Sequence, residues 1–311
     1  MSVRREWRPH SITSSRRSQK RNPCSTCHRA DRPTDKHRAN DTIKDHMHMG
    51  TTPASTLTIG RALDGAVAIL TMEHRPYNLL DKAFVLALID ALRWTEEQQA
   101  RAVILRSGLR HFSAGAELDS MLAETRDSDV LDWHLVDLLD AFDAHPAPIV
   151  AAVHGTCVGG GFELALACDL VVAAASTKFG SVEVTVGLQP LMGGVQRIAQ
   201  RAGAARAKEI ALLGRRYDAA TLERWNIINR VVPDEDLDTA TMVLAQELAH
   251  GPTLANIATK QLVSVAVNRG TAAADEAMAE LQRPVFRSED FVTGVTSYRD
   301  NGIGQAFFEG R

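Results

Sequence analysis

The sequence predicts an α/β core carrying a helical C-terminal region. Three observations point there. Short apolar runs, such as Ile149 to Val153 and Leu170 to Ala175, have the length of buried strands. Stretches with helical apolar spacing alternate with them, the order expected of strands and helices packed in layers. After about Leu191 the strand signals give way almost entirely to helical ones.

Leu57 to Arg61 and Ala66 to Met72 read as two strands joined at Leu63-Asp64-Gly65, a hairpin signal. Ala83 to Gln99 reads as a helix with Phe84, Leu88 and Leu92 on one face. Ala102 to Arg106 is a short buried strand. Leu131 to Ala144 reads as a second amphipathic helix, stopped by His145-Pro146-Ala147-Pro148, because a residue before proline is driven out of the helical region. The strand Ile149–Val153, a glycine-rich turn, a helix over Gly160–Ala167 and a strand over Asp169–Ala174 follow. Helices are expected near 191–202, 206–213, 219–225, 236–249, 253–268 and 272–287, interrupted by a strand at Asn229–Val232. No repeat of fixed period is present.

The chain has 311 residues and 45% hydrophobic content, ample for a core. No apolar run of about 18 residues occurs, so no membrane span is expected. The net charge of -3 is unevenly spread: residues 1–50 carry +7 and the remainder -10. An acidic body gives no support for nucleic-acid binding. Residues 1–52 hold few aliphatics and cannot bury enough apolar surface to offset ordering, so a disordered basic tail is expected there. Its first 30 residues hold 8 Lys/Arg, 1 Glu and 6 Ser, the composition of an organellar transit peptide, yet Val3, Trp7 and Ile12 build no convincing amphipathic helix. The favoured alternative is a natural start at Met47 or Met49. Within the tail, Cys24-Ser25-Thr26-Cys27-His28 spells a haem-attachment motif, read as coincidence because no export signal accompanies it. No second ligand pair is nearby, and no metal site is expected. With Cys157 and Cys168 in apolar contexts, four cysteines indicate a reducing compartment. A cytoplasmic protein is expected, or a mitochondrial matrix one if the tail is a transit peptide.

Three segments could carry chemistry. In His111-Phe112-Ser113-Ala114-Gly115-Ala116-Glu117-Leu118, small residues let the backbone approach a ligand, and Gly115 permits positive φ. A backbone N–H exposed by such a turn can bind an oxyanion, though an ordinary strand-to-helix turn fits the residues as well. In His154-Gly155-Thr156-Cys157-Val158-Gly159-Gly160-Gly161-Phe162-Glu163-Leu164, a buried strand feeds glycines that open a helix. A helix N-terminus offers unpaired N–H groups and partial positive charge. No Gly-Lys-Ser/Thr follows, which excludes a P-loop, and the dinucleotide fingerprint fits poorly. Glu163, alone, would more often be a helix cap than a catalyst. In Lys178-Phe179-Gly180-Ser181-Val182-Glu183-Val184-Thr185-Val186-Gly187-Leu188, Glu183 is either a solvent-facing strand residue or a buried carboxylate.

Together these segments resemble the enoyl-CoA hydratase/isomerase family, the crotonases. Phe112 to Leu118 is similar to its F-S/A-A-G-A-D-L/I turn. Gly159-Gly160-Gly161-Phe162-Glu163-Leu164-Ala165 with Cys168-Asp169 is similar to its G-G-G-x-E-L-A…C-D block. Phe179-Gly180, Glu183 and Gly187, with Gly193-Gly194, Gln196 and Arg197, resemble its third block. The ending Ala306 to Arg311 resembles the family's C-terminus, so the likeness runs over about 57–311.

The resemblance implies a crotonase-type spiral of ββα units over 53–247 and a helical oligomerisation region over 248–311. It implies a trimer or a dimer of trimers and an acyl-CoA substrate. No cofactor is implied, coenzyme A being part of the substrate. Carried over by position, the N–H groups of Ala116 and Gly160 would form an oxyanion hole for the thioester carbonyl. Glu163 and Glu183 would be the catalytic pair of an enoyl-CoA hydratase, which adds water across the 2,3 double bond, Glu163 taking a proton from the water and Glu183 supplying one to the α-carbon. Isomerases of the family usually keep only the position of Glu183, so the pair favours hydration. Other reactions on acyl-CoA, isomerisation or thioester hydrolysis, and a non-catalytic acyl-CoA binder are the alternatives. Arg75, Ala114, Ala116, Glu117, Leu118 and Gly160 are the expected substrate contacts. Three departures stand out. The segment Met72 to Leu80 is shorter than the family's N-R-P-x-x-x-N-A-L stretch. After Pro190, Leu191-Met192 stands where the family often has Gly-x, and adds bulk near the acyl pocket. Glu117 stands where Asp is commoner.

Overall fold

The computed structural model describes residues 56–311, apart from 127 and 129. The expected tail and its Cys24–His28 motif lie outside the described residues. The first strands are β1 (Leu57–Ala62) and β2 (Val67–Met72), paired antiparallel as expected across a one-turn 3-10 helix at Leu63–Gly65. Then β2 runs parallel to β3 (Ala102–Ser107), β3 to β4 (Ile149–Val153), β4 to β6 (Leu170–Ala174) and β6 to β9 (Arg230–Val232), giving a six-stranded sheet. A second sheet of three short strands, β5 (Thr156–Val158), β7 (Lys178–Gly180) and β8 (Tyr217–Asp218), stands beside it.

Strand β4 lies inside the large sheet and all five of its residues are buried. Strands covered on both faces read as continuous apolar runs, which is why this one was legible. Its residues divide by parity. Ala151 and Val153 join Leu70, Val103, Leu105 and Val171 in one core, against α1 (Lys82–Glu97), α3 (Leu135–Ala144) and α4 (Gly160–Ala167). Val150 and Ala152 join Ile104 and Val172 on the other face, against Leu237, Ala245 and Ala249 of α8 (Leu237–His250). Each aliphatic side chain so buried stabilises by roughly 1.5–3 kcal/mol. Helix α1 starts where the Asp81 carboxylate accepts the Phe84 N–H at 2.7 Å, and it buries Phe84, Leu88 and Leu92.

The remaining helices are α2 (Leu118–Thr125), α5 (Gly194–Ala202), α6 (Ala204–Leu213), α7 (Ala219–Arg224), α9 (Thr253–Arg269), α10 (Thr271–Arg287) and α11 (Glu289–Asn301). The helix expected from Leu131 begins only at Leu135, because His134 sits at φ 55° and Trp133 is used in an irregular segment. Helix α2 and helix α11 were not expected, nor were β5, β7 and β8. The boundary expected at 247/248 falls inside α8. No helix among the described residues is long and apolar enough to cross a membrane. Cys157 and Cys168 are buried and free.

Candidate active site

Two turns meet at the C-terminal ends of β3 and β5. The first follows β3. Asn78 is fully buried, with its Nδ2 donating to Ser107 Oγ (2.8 Å) and the Phe112 carbonyl (2.9 Å). Ser113 Oγ donates back to the Asn78 carbonyl at 2.7 Å. Leu80 then brackets the turn: its N–H donates to Gly115 O, and its carbonyl accepts from Glu117 N. Gly115 holds φ 102°, as its place in the turn suggested. The pairings on either side of Ala116 leave its own N–H without a hydrogen-bond partner among the described residues.

The second turn opens α4. Gly159 takes φ 55° and ψ -134°, a conformation open in practice to glycine alone, and its N–H donates to Gly180 O. Gly161 has a packing reason instead: a Cβ there would lie 2.5 Å from Ser113 Cβ. Gly160 is the first helical residue, so its N–H has no intrahelical acceptor. A Cβ on Gly160 would lie 2.9 Å from Leu80 Cδ1 and 3.9 Å from Ala116 N. The positive φ thus falls on Gly159, and what excludes a side chain at 160 is space. Two N–H groups without partners among the described residues, Ala116 and Gly160, stand side by side at a helix N-terminus, the arrangement that stabilises a developing oxyanion.

Glu163 lies one turn into α4 and is 3% exposed. It caps another helix rather than its own. Its Oε1 accepts the N–H groups of Met192 (2.9 Å) and Gly194 (2.8 Å), and its Oε2 that of Leu191 (3.3 Å), at the start of α5. Gly194 is required for this, since a Cβ there would meet Glu163 Cγ at 2.8 Å. Burial pushes the Glu163 carboxyl up to about 7; the nearby Glu183 adds to the rise, while the three N–H donors oppose it.

Glu183 is not in a strand. It begins a one-turn 3-10 helix, Glu183–Val186, just after β7. Ser181 Oγ donates to its Oε2 at 2.8 Å, and its Oε1 is buried with no partner among the described residues. A Cβ on Gly159 would lie 3.7 Å from that Oε1, which puts the carboxylate beside the glycine turn. A buried acceptor left unpaired is costly, and such atoms are commonly completed by water or ligand.

Glu163, Glu183, Ala114, Ala116, Leu118 and Gly160 all line one cavity of about 110 Å³. Leu191 and Met192 line it too, as their bulk near an acyl site implied. Two expected contacts lie elsewhere. Arg75 is exposed and outside the lining. Glu117 is also outside it and serves the local structure. It caps α2, accepting the N–H groups of Ser120 (2.6 Å) and Asp119 (3.4 Å), and its bonds with Ser120 and Asp119 hold its carboxyl below the usual range. Sequence reasoning missed Ser181, Asn78, the three backbone donors on Glu163, and Trp133, which also lines the cavity. Only Gly194 carried a signal for the donors.

Comparison with known proteins identifies the family and the fold. Residues 63–309 match the sequence model of the enoyl-CoA hydratase/isomerase family. The human enoyl-CoA hydratase domain-containing protein 2, mitochondrial, is 37% identical over 215 residues, which cover 67% of this chain and 72% of the relative. A carnitinyl-CoA dehydratase of Salmonella paratyphi A is 31% identical over 244 residues, covering 76% of this chain and 93% of the relative. The crystal structure of enoyl-CoA hydratase subunit I from Geobacillus kaustophilus superposes with a TM-score of 0.74 at 32% identity, covering 83% of this chain and 99% of that one. The fold is the crotonase fold, and one cavity is lined by two glutamates, Glu163 and Glu183, and by Ala116 and Gly160, whose N–H groups have no partner among the described residues. The chain belongs to the enoyl-CoA hydratase/isomerase family, whose chemistry is run on acyl-CoA thioesters.

Proposed function

We propose that this chain is an enoyl-CoA hydratase. The observation that supports it is the convergence of Glu163 and Glu183 on one cavity with the unpaired Ala116 and Gly160 N–H groups. The thioester carbonyl of a 2-enoyl-CoA accepts both N–H groups, and its oxygen gains charge as the enolate forms. Each donor is worth roughly 3 kcal/mol of barrier. Glu163, held as an acceptor by three N–H groups, takes a proton from water as the oxygen bonds to the β-carbon. Glu183 delivers a proton to the α-carbon through the carboxyl edge that the protein leaves unpaired. The product is a 3-hydroxyacyl-CoA, and the step, as in lipid catabolism, needs no cofactor beyond the coenzyme A of the substrate. The same site run in reverse dehydrates.

The working unit of the proposal is a trimer or dimer of trimers. The exposed apolar side chains of α9 to α11, including Val263, Phe286, Val292 and Val295, support a subunit contact there. The direct test of the activity follows the conjugated enoyl absorbance of crotonyl-CoA. Its loss with retention of the thioester supports hydration. Release of free coenzyme A indicates a hydrolase instead, and binding without reaction a non-catalytic member.

A further inference from the structure

We infer that Trp133 is the acyl-length gauge of this cavity, and that the preferred substrate carries a short acyl chain of about four carbons. The inference rests on the acyl-CoA reading above and names its substrate class.

Exposure sorts the cavity walls into an open part and a buried part. Leu118 and Leu191 are 45% and 36% exposed and stand at the open side. Trp133, Met192 and Met121 are 1%, 2% and 7% exposed and belong to its buried wall. Trp133 is the largest of the fully buried side chains, yet it comes from an irregular segment and not from a helix or strand of the sheet core. Its place is fixed from two directions. The indole Nε1 donates to Glu124 Oε2, near the C-terminal end of α2, the helix that also supplies Met121. The next residues, His134 at φ 55° and Leu135, start α3, and Leu135 lines the same cavity. An indole anchored by its own N–H is a rigid wall, unlike the flexible methionines beside it.

The size agrees. An apolar cavity of about 150 Å³ holds benzene, and this one measures about 110 Å³. Water and the carbonyl must share it with the acyl chain. A chain of eight carbons would have to displace Trp133 from a hydrogen-bonded, close-packed position, and overfilled cores resist that.

The test compares crotonyl-CoA with 2-octenoyl-CoA as substrates of the full chain, of Trp133→Ala and of Trp133→Phe. The wild type should show kcat/KM at least about 10²-fold lower on the octenoyl substrate, given the 10–200-fold that a single methylene can cost in a tight pocket. Trp133→Ala should narrow that ratio by at least about 10-fold, and Trp133→Phe by less. A purely structural role lowers both substrates together and leaves the ratio unmoved, and that result overturns the inference. So does a wild type that prefers octenoyl-CoA. Should Trp133→Ala not fold, Trp133→Phe and Met192→Ala carry the comparison. Calorimetric binding of saturated butanoyl-CoA and octanoyl-CoA, which cannot be hydrated, reads the same wall without chemistry. Absence of turnover in the wild type, with a binding ratio that shifts in the Trp133 variants, defeats the hydratase reading and keeps the gauge; an unshifted binding ratio defeats the gauge.

Discussion

Helix α4 and the C-terminal helices handle apolar surface in opposite ways. Seven of the eight residues of α4 are buried, Glu163 among them. Helix α9 has 17 residues and none buried, and α10 and α11 bury only Ala274 and Asp290. On those three helices Val263, Met278, Phe286, Val292, Val295 and Tyr298 stand 44–63% exposed. The C-terminal region is still tied to the core. Asp290 accepts the N–H groups of Glu309 (2.9 Å) and Gly310 (3.0 Å), and Arg101 donates to the carbonyls of Gly251 (2.8 Å) and Phe308 (3.1 Å). The difference separates two requirements. The candidate site is built where one chain completes its own packing, whereas the described C-terminal helices leave an apolar face in solvent, the face on which the proposed subunit contact rests.

The largest effects should come from the buried side of that contrast. Glu163→Gln and Glu183→Gln should each lower hydration by about 10²–10⁴, the usual worth of a proton-transfer group, while calorimetry finds acyl-CoA binding largely intact. Near-native turnover in either variant would break the two-carboxylate mechanism. Next in size is Gly160→Val. Its side chain must displace Leu80 and the approach to the Ala116 N–H, and a misplacement of about 1 Å costs on the order of 10²-fold. Melting temperature and turnover should be read on one sample. A variant that melts far lower yet turns over normally per folded molecule would show that the glycine serves packing alone.

The exposed side should respond differently. Val292→Asp with Val295→Asp places charge on α11 where one chain leaves both side chains in solvent. Sedimentation should show a fall to the mass of a single chain, with helical circular dichroism retained, since surface substitutions rarely move stability beyond about 0.5 kcal/mol. An unchanged multi-subunit mass would place the contact elsewhere.

The last effect is in stability and not in turnover: a pH dependence set by Glu163. Its folded carboxyl, at about 7, lies above the 4.5 of an ordinary glutamate. Between those values the folded chain holds a proton that the unfolded chain has lost, so stability falls as pH rises through this window. Glu163→Gln removes the dependence. Relative to wild type, the variant should gain up to roughly 3 kcal/mol between about pH 4.5 and 8. A difference that stays flat with pH in denaturant titrations would contradict the raised carboxyl. With Glu163 acting as base, hydration should also rise as pH climbs through about 7.

Sequence legibility followed the same division. Strands β2, β3 and β4 were plain because burial on both faces makes continuous apolar runs. The start of α4 was plain because three glycines sit between a buried strand and a helical pattern. Helix α2 was hidden: its apolar spacing at Leu118, Met121 and Leu122 spans only eight residues, too few to stand out, and its cap is a glutamate, outside the preferred capping residues. Strands β5, β7 and β8 are two or three residues long, too short for alternation to register. At the site, residue types marked Glu163, Glu183 and the glycines. They could not mark the Leu191, Met192 and Gly194 N–H groups, because any residue other than proline carries a backbone donor. The irregular placement of Trp133 was equally silent, since a buried indole reads from sequence as one more apolar position.

Hydration is tested most directly by where the new oxygen goes. Crotonyl-CoA incubated with the wild-type chain in ¹⁸O-labelled water should lose its enoyl absorbance and give a 3-hydroxyacyl-CoA carrying one solvent oxygen on the β-carbon, with the thioester unlabelled. Mass spectrometry reads both positions. Label in a released carboxylic acid, or disappearance of the conjugated band with no label taken up, would contradict the account.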